Sequence, residues 1–492
     1  MKPTSGLRQF IVAGTVTSFL TLVGVKLLGL FESVAVGRIL GPDRFGLLTL
    51  VLSIMTLVAS VSACGLPAAV TKFVAGEAGR SREAANRTLR AAIKLSSITT
   101  TLTALGFAMV AVFVLAPYYG PRTLPLLLLI VPLTIFGPVF ALFTSALQGL
   151  GKVRAMNIRY LAAAAIGLVT ALALAPTLGT EGALVAFAIA SIIPGALSLR
   201  AVEKSIDRLP SNPQTMGMKG RALLEYSLPM LLSGLVVLPT FYLVSSTLAT
   251  SGGFDQLGAF SIAYALSNVI TFIPSAVGVP LFPALASLST TSPQRGRALV
   301  AEMTRATTFV STPLVVIAIL FGQEIITWTY GSEFLGGTAA LAILSASALL
   351  VAAGSAIGGQ LAGTGKTWIG FAVNGIWSAI VVLTTLLLIP PFGIAGAALS
   401  IFFGYCALAT ALIVVARSIL DLDLREMKAP ATWAAASVAV AFIALAWAGP
   451  LRIAASLVVL GACFVGESLL LSPKERSLIS TFIPRQLRPR CG

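Results

Sequence analysis

Histidine is absent from this 492-residue sequence. With it go the commonest general base, the commonest metal ligand and the side chain that titrates near neutrality. Charge is scarce as well: Asp, Glu, Lys and Arg make up 10% of residues, against about 25% in an ordinary soluble chain. Cysteine is limited to Cys64, Cys406, Cys463 and Cys491, far apart and without a CxxC pair. Neither metal nor redox spacing is present, so the four read as small apolar fillers. Together these shortages exclude histidine-based catalysis, a Cys/His metal centre and the soluble class.

What fills the chain instead is apolar, at 57% of residues. Runs of about 20 apolar residues recur along its length, each long enough to cross a bilayer. Bounded by charges, Gly and Pro, they predict fourteen membrane-spanning helices, from residues 10–31 to residues 452–471, and an all-α polytopic membrane protein. The first run, Phe10 to Phe31, follows a basic N-terminus as in a signal peptide. It exceeds the usual apolar region of about 7 to 15 residues and reads as a retained span.

The formal charge is +16, from 33 Lys plus Arg and 17 Asp plus Glu. With the N-terminus in the cytoplasm, 28 of the basic residues fall on inner segments. The other five, Lys26, Arg38, Arg44, Arg122 and Arg452, fall outside or within spans. That bias predicts a multi-pass protein of the cytoplasmic membrane with both termini inside. The charge then reads as attraction to the anionic leaflet and membrane lipids, and calls for no nucleic acid. The inner connections at 72–94 and 201–221 are too short to fold alone, so the chemistry belongs to the bundle.

Several motifs recur at a nearly constant offset. Asp43-Arg44-Phe45-Gly46 is echoed by Asp255-Gln256-Leu257-Gly258, 212 residues later, and Gly65-Leu66-Pro67 by Gly278-Val279-Pro280 at 213. Leu147 to Lys152 is echoed by Leu361 to Lys366, and Gly179 to Ala183 by Gly393 to Ala397, both at 214. Six spans separate each pair, so the copies run parallel. The expected domains are residues 1–221 with helices 1 to 6, residues 222–428 with helices 7 to 12, and residues 429–492 with two further helices and a basic tail. Two such lobes suit alternating access around a midplane site.

An ionisable group at bilayer depth costs about 2.5 to 3.5 kcal/mol on insertion scales. Lys26 has two readings. If span 1 is short, Lys26 snorkels to the interface. If the helix continues to Leu40, Lys26 stands near its middle, on a small and polar stripe with Thr15, Ser18, Gly29, Ser33 and Gly37 that faces a cavity. Glu32 lies about 120° away at 100° per residue, as an interfacial or functional carboxylate. Tyr264 and Asn268 in span 8 are candidates for sugar hydroxyls or for helix-to-helix bonds. Pro274, Pro280 and Pro283 in span 8, and Pro125, Pro132 and Pro138 in span 4, are kink positions. Gly363 to Thr367 imitates a phosphate loop, but Gln360 occupies the required glycine and no strand precedes it. Asn86-Arg87-Thr88 is a sequon on the cytoplasmic side, where it stays unmodified.

The residues from Lys26-Leu27-Leu28-Gly29 through Arg38-Ile39-Leu40-Gly41-Pro42-Asp43-Arg44-Phe45-Gly46, with Gly65 to Glu77 and Tyr264 to Leu288, resemble the polysaccharide transporter family, the Wzx-type O-antigen flippases. That family shares a superfamily with lipid II flippases and multidrug and toxin extruders. The resemblance implies two six-helix lobes and translocation of a polyprenyl-diphosphate-linked glycan to the outer leaflet, with glycan polymerase or assembly proteins as possible partners. It implies that Lys26 lines a cationic cavity for the diphosphate and that Arg38 matches a family position. Ser33, Tyr226, Tyr242, Tyr264 and Asn268 are the accompanying substrate-binding candidates, and Glu32 is the candidate for coupling H+ or Na+. No other cofactor is expected. Departures from lipid II flippases, namely Glu32 for a basic residue, Ser33 for an acidic one and Ser267 for an arginine, favour a different lipid-linked glycan. The alternatives are a cation-coupled multidrug exporter of the same fold and a membrane glycan polymerase or ligase. The latter wants a large, charged outer loop that this sequence lacks.

Overall fold

The computed structural model describes residues 5–77, 81–209, 220–272, 292–363, 366–420, 422, 425–446 and 452–470. Every regular element among them is helical, which is how an apolar run satisfies each backbone N–H and C=O within its own segment. In order they are α1 (Ser5–Ala63), α2 (Leu66–Glu77), α3 (Arg82–Val110), α4 (Leu124–Gly149), α5 (Val153–Ile206), α6 (Gly220–Gly252) and α7 (Phe254–Ile270). Then follow α8 (Pro293–Leu320), α9 (Gly322–Thr329), α10 (Thr338–Gly363), α11 (Thr367–Ser418), α12 (Arg425–Ala446) and α13 (Arg452–Leu470). A π-helical turn over Ala111–Leu115 and a last turn over Ala116–Tyr119 extend α3. Among the described residues, nine helical stretches are long and apolar enough to cross a membrane.

Three helices are too long to be single crossings. With 59, 54 and 52 residues, α1, α5 and α11 would each extend roughly 80 to 90 Å if straight, against a hydrocarbon core of about 30 Å. One glycine divides each: Gly41 (φ 72°, ψ 174°), Gly179 (φ 62°, ψ −133°) and Gly393 (φ 52°, ψ −126°). Contacts across two of the breaks show that the chain turns back on itself. A β-carbon on Gly182 would strike the carbonyl of Leu174, and one on Gly167 would lie 3.5 Å from Ala190 Cβ. In α11, Thr384 Oγ1 donates to the Ser400 carbonyl at 3.5 Å, and the Trp377 and Tyr405 rings lie 5.7 Å apart. Both helices are therefore hairpins of two arms.

The first arm of α1 runs unbroken to Leu40, the longer of the two sequence readings, and Lys26 lies near its middle. Cys64 and Gly65 (φ 48° and 65°) end α1 in two successive left-handed residues. The chain then re-enters helix as α2, continuing to Glu77 through part of the stretch read as a connection. The prolines at 274, 280 and 283, Gly278 and the tail with Cys491 lie outside the described residues.

By packing, the chain divides into two compact units: residues 1–262 with 389–394, and residues 263–388 with 395–492. The first is centred on Leu66 and Val70 of α2, Leu89 of α3, Leu142 and Leu147 of α4 and Val202 of α5. The second has one core of Val315, Ile319, Leu349, Ala441 and Cys463, and another of Val300, Ile357, Val373 and Leu412. Cys463 is buried in the first of these cores, where it packs as a small hydrophobe.

Candidate functional site in helix 1 and the bends of the bundle

In the first unit, the long arm of α1 runs parallel to the first arm of α5. Asn157 Nδ2 donates to Ser18 Oγ at 3.1 Å, Gly24 faces Leu161, and Glu32 faces Gly167. Glu32 Oε2 lies 3.3 Å from where a β-carbon on Gly167 would stand, so the missing side chain makes the niche that receives the carboxylate. Lys26 points elsewhere. At 100° per residue it stands about 120° from Glu32, about 20° from Ser33 and about 120° from Arg38. Lys26 and Arg38 are exposed; Glu32 and Ser33 are half-buried. The arm thus separates the face of Lys26 and Ser33 from a carboxylate face that is turned into the α5 hairpin, with Arg38 on neither.

The aromatic candidates divide differently. Tyr242 of α6 bonds the hydroxyl of Tyr119 at 3.0 Å, and Tyr119 also donates to Ser246; this trio ties the end of α3 to α6. Tyr226 lies on α6, with its side chain outside the described residues. Asn268 Nδ2 donates to the Tyr264 carbonyl one turn back at 2.9 Å, and the Ser267 hydroxyl donates to the same carbonyl. Two aromatics that the sequence reading passed over stand in the second unit. Tyr405 lies within electrostatic reach of Tyr264, and its neighbour Trp377 rests against Gly404. The spacing of 28 residues between Trp377 and Tyr405 carries no sequence signal until the hairpin in α11 is known.

The recurring motifs recur in conformation. Gly41 and Gly253, Gly120 and Gly331, and Gly179 and Gly393 all have positive φ, at separations of 212, 211 and 214. Lys152 N donates to the Leu147 carbonyl at 2.8 Å, and Lys366 N to the Leu361 carbonyl at 3.0 Å. Arg44 stands over Gly179, and Gln256, its counterpart 212 residues on, over Gly393. The second arm of α1 and the start of α7 cross so closely that a β-carbon on Gly46 would overlap the Phe254 carbonyl, and one on Gly258 the Pro42 carbonyl. The pair Gly120 and Gly331 was legible too, each lying just before the helix that precedes a repeated Leu-to-Lys loop.

A family model described as "Polysaccharide biosynthesis protein" matches residues 35–338. The EPS I polysaccharide export inner membrane protein EpsE of Ralstonia nicotianae is 27% identical over 279 residues, covering 54% of this chain and 62% of that one. The protein of the same name from Ralstonia solanacearum is 29% identical over 197 residues, covering 38% and 44%. The chain thus spans 44% to 62% of the length of these curated relatives. Among solved structures, lipid II flippase MurJ in an inward closed conformation aligns with a TM-score of 0.73 over 95% of this chain and 100% of its own, at 14% identity. An inward-facing multidrug resistance MATE family transporter of the MOP superfamily aligns at 0.65 over 83% and 98%, at 13% identity. At such identities the likeness is one of fold. The chain belongs to the polysaccharide biosynthesis protein family and has the fold of the multidrug/oligosaccharidyl-lipid/polysaccharide superfamily of membrane transporters.

Proposed function

We propose that the protein flips a polyprenyl-diphosphate-linked oligosaccharide from the cytoplasmic to the outer leaflet for cell-surface polysaccharide synthesis. The observation that carries this reading is the family match over residues 35–338, in a chain whose first helix bears an exposed cation at mid-length. In this reading the chain crosses the membrane fourteen times with both termini cytoplasmic. Residues 1–221 and 222–428 are parallel copies, followed by the two helices of 429–492. The three glycine-divided helices and the paired glycine conformations support that count and that duplication. A boundary between copies need not coincide with a boundary between packed units, because packing follows contact and not descent.

Lys26 and Arg38 attract the diphosphate, with Ser33 beside Lys26. Tyr226, Tyr242, Tyr264 and Asn268 meet the sugars, and the two lobes alternate access to the cargo. The experiment is replacement of Lys26 by Ala in a flippase-null strain. The reading expects loss of complementation at unchanged membrane abundance, while wild-type activity would remove Lys26 from the site.

The half-buried Glu32 favours a second reading, export of drugs coupled to H+ or Na+. Reconstitution with labelled lipid-linked oligosaccharide separates the two. Exposure of label on the far leaflet supports flipping. Ion-driven dye efflux without such exposure supports the exporter.

A further inference from the structure

In the second unit, α8, α10, α11 and α12 line a half-open cavity of about 750 Å³, a volume typical of sites for small molecules. Its origin is legible in α12, where Ala431, Ala435 and Ala439 recur every four residues on one face, opposite Ala346, Ala353 and Gly354 of α10. Side chains this small leave a gap that the neighbouring helices do not close. Most of the wall is aliphatic, but three of the residues that line it are basic. Arg417 in the last turn of α11 and Lys428 in the first turn of α12, both exposed, line it together with the half-buried Arg305 of α8.

Beside Arg305, Thr304 is 4% exposed, and its hydroxyl is buried with no hydrogen-bond partner. The neighbouring Thr308 uses its own hydroxyl on the Thr304 carbonyl. A buried hydroxyl left unmatched costs free energy; with no exposed surface of its own, this one lies behind the cavity wall and is no contact for a ligand. Helix ends lie at interfacial depth, where a cluster of cations meets lipid head groups. From Lys428 to Phe442 the cavity follows α12 for about 21 Å, close to the depth of one leaflet with its head group.

We infer that this cavity holds an anionic glycerophospholipid. Its phosphate lies against Arg305, Arg417 and Lys428, and one acyl chain lies along the alanine face of α12. The chemistry is that of a bilayer lipid serving as a resident ligand, apart from any cargo.

The test reconstitutes the full chain in phosphatidylcholine vesicles with a trace of phosphatidylglycerol carrying a photoactivatable acyl chain, and maps the adducts. The inference expects adducts in α12 between residues 431 and 442, displaced by unlabelled phosphatidylglycerol and not by phosphatidylcholine. Labelling is expected to fall by about tenfold or more in R417Q/K428Q and to persist in R417K/K428R. These are exposed positions, so folding is not at stake. A435F is expected to block labelling with the cations intact. Equal labelling by a phosphatidylcholine probe, or unchanged labelling in R417Q/K428Q, would overturn the inference. So would displacement by a polyprenyl diphosphate at lower concentration than phosphatidylglycerol, which would assign the cavity to the cargo.

Discussion

Gly46 of α1 and Gly258 of α7 face each other across a crossing in which each receives the carbonyl of the residue four places before the other, Phe254 at Gly46 and Pro42 at Gly258. Such reciprocity is the signature of a two-fold contact, here made within one chain by two stretches that share the pattern Asp-x-x-Gly. Backbone fills the space on both sides, so neither glycine has a flexible neighbour to displace. G46A and G258A are each expected to lower unfolding stability by about 1–3 kcal/mol as overpacking does. The double variant should fall short of the sum because the two residues share one contact. Thermal unfolding in detergent measures both.

Gly179 and Gly393 hold φ near 60° with ψ near −130°, a region that carries strain of about 1–3 kcal/mol for a residue with a side chain. G179A and G393A should therefore each destabilise the protein, and by similar amounts, although they lie in different halves of the sequence. Asparagine, which tolerates the ordinary left-handed region, should rescue neither, because ψ here is far from that region. The comparison of melting temperatures among the four variants is the check.

The amide of Asn157 and the hydroxyl of Ser18 join α5 to α1 at a site where Asn157 is 4% exposed. Bonds of this kind between membrane helices average about 0.6 kcal/mol and reach about 1.7. N157A should cost an amount in that range, and a double-mutant cycle with S18A should assign most of it to the pair.

Glu32 depends on the absence of a side chain at Gly167. G167V should expel the carboxylate from its niche, and its transport phenotype should match that of E32Q if the seated carboxylate matters. A G167V protein that transports normally beside an inactive E32Q would show that Glu32 acts from another position.

The fold was legible because its signals are chemical and local: apolar length gave the helices, and recurring glycines marked the bends where only glycine fits. The end of the second span near Gly65-Leu66-Pro67 was legible from its motif, but the left-handed turn at Cys64 was not, because a cysteine in that conformation has no pattern of its own. The helix-1 candidates were read correctly as to element, and Ser18 was found on α1, but its partner Asn157 was not foreseen. Nor were Trp377 and Tyr405, since their contact follows from chain reversal in α11 and from no spacing rule. Tyr242, chosen by residue type, also has a partner that no spacing announced, the hydroxyl of Tyr119.

The π-helical turn at Ala111–Leu115 gives α3 one residue more than a regular ladder needs. Deleting a residue there lets the turn close as ordinary α-helix, with Tyr119 still aimed at Tyr242. The same deletion at Leu102 would swing everything beyond it by about 100°. The helix therefore stores a spare residue at a single address, and shortening of this strut is tolerated at that address alone.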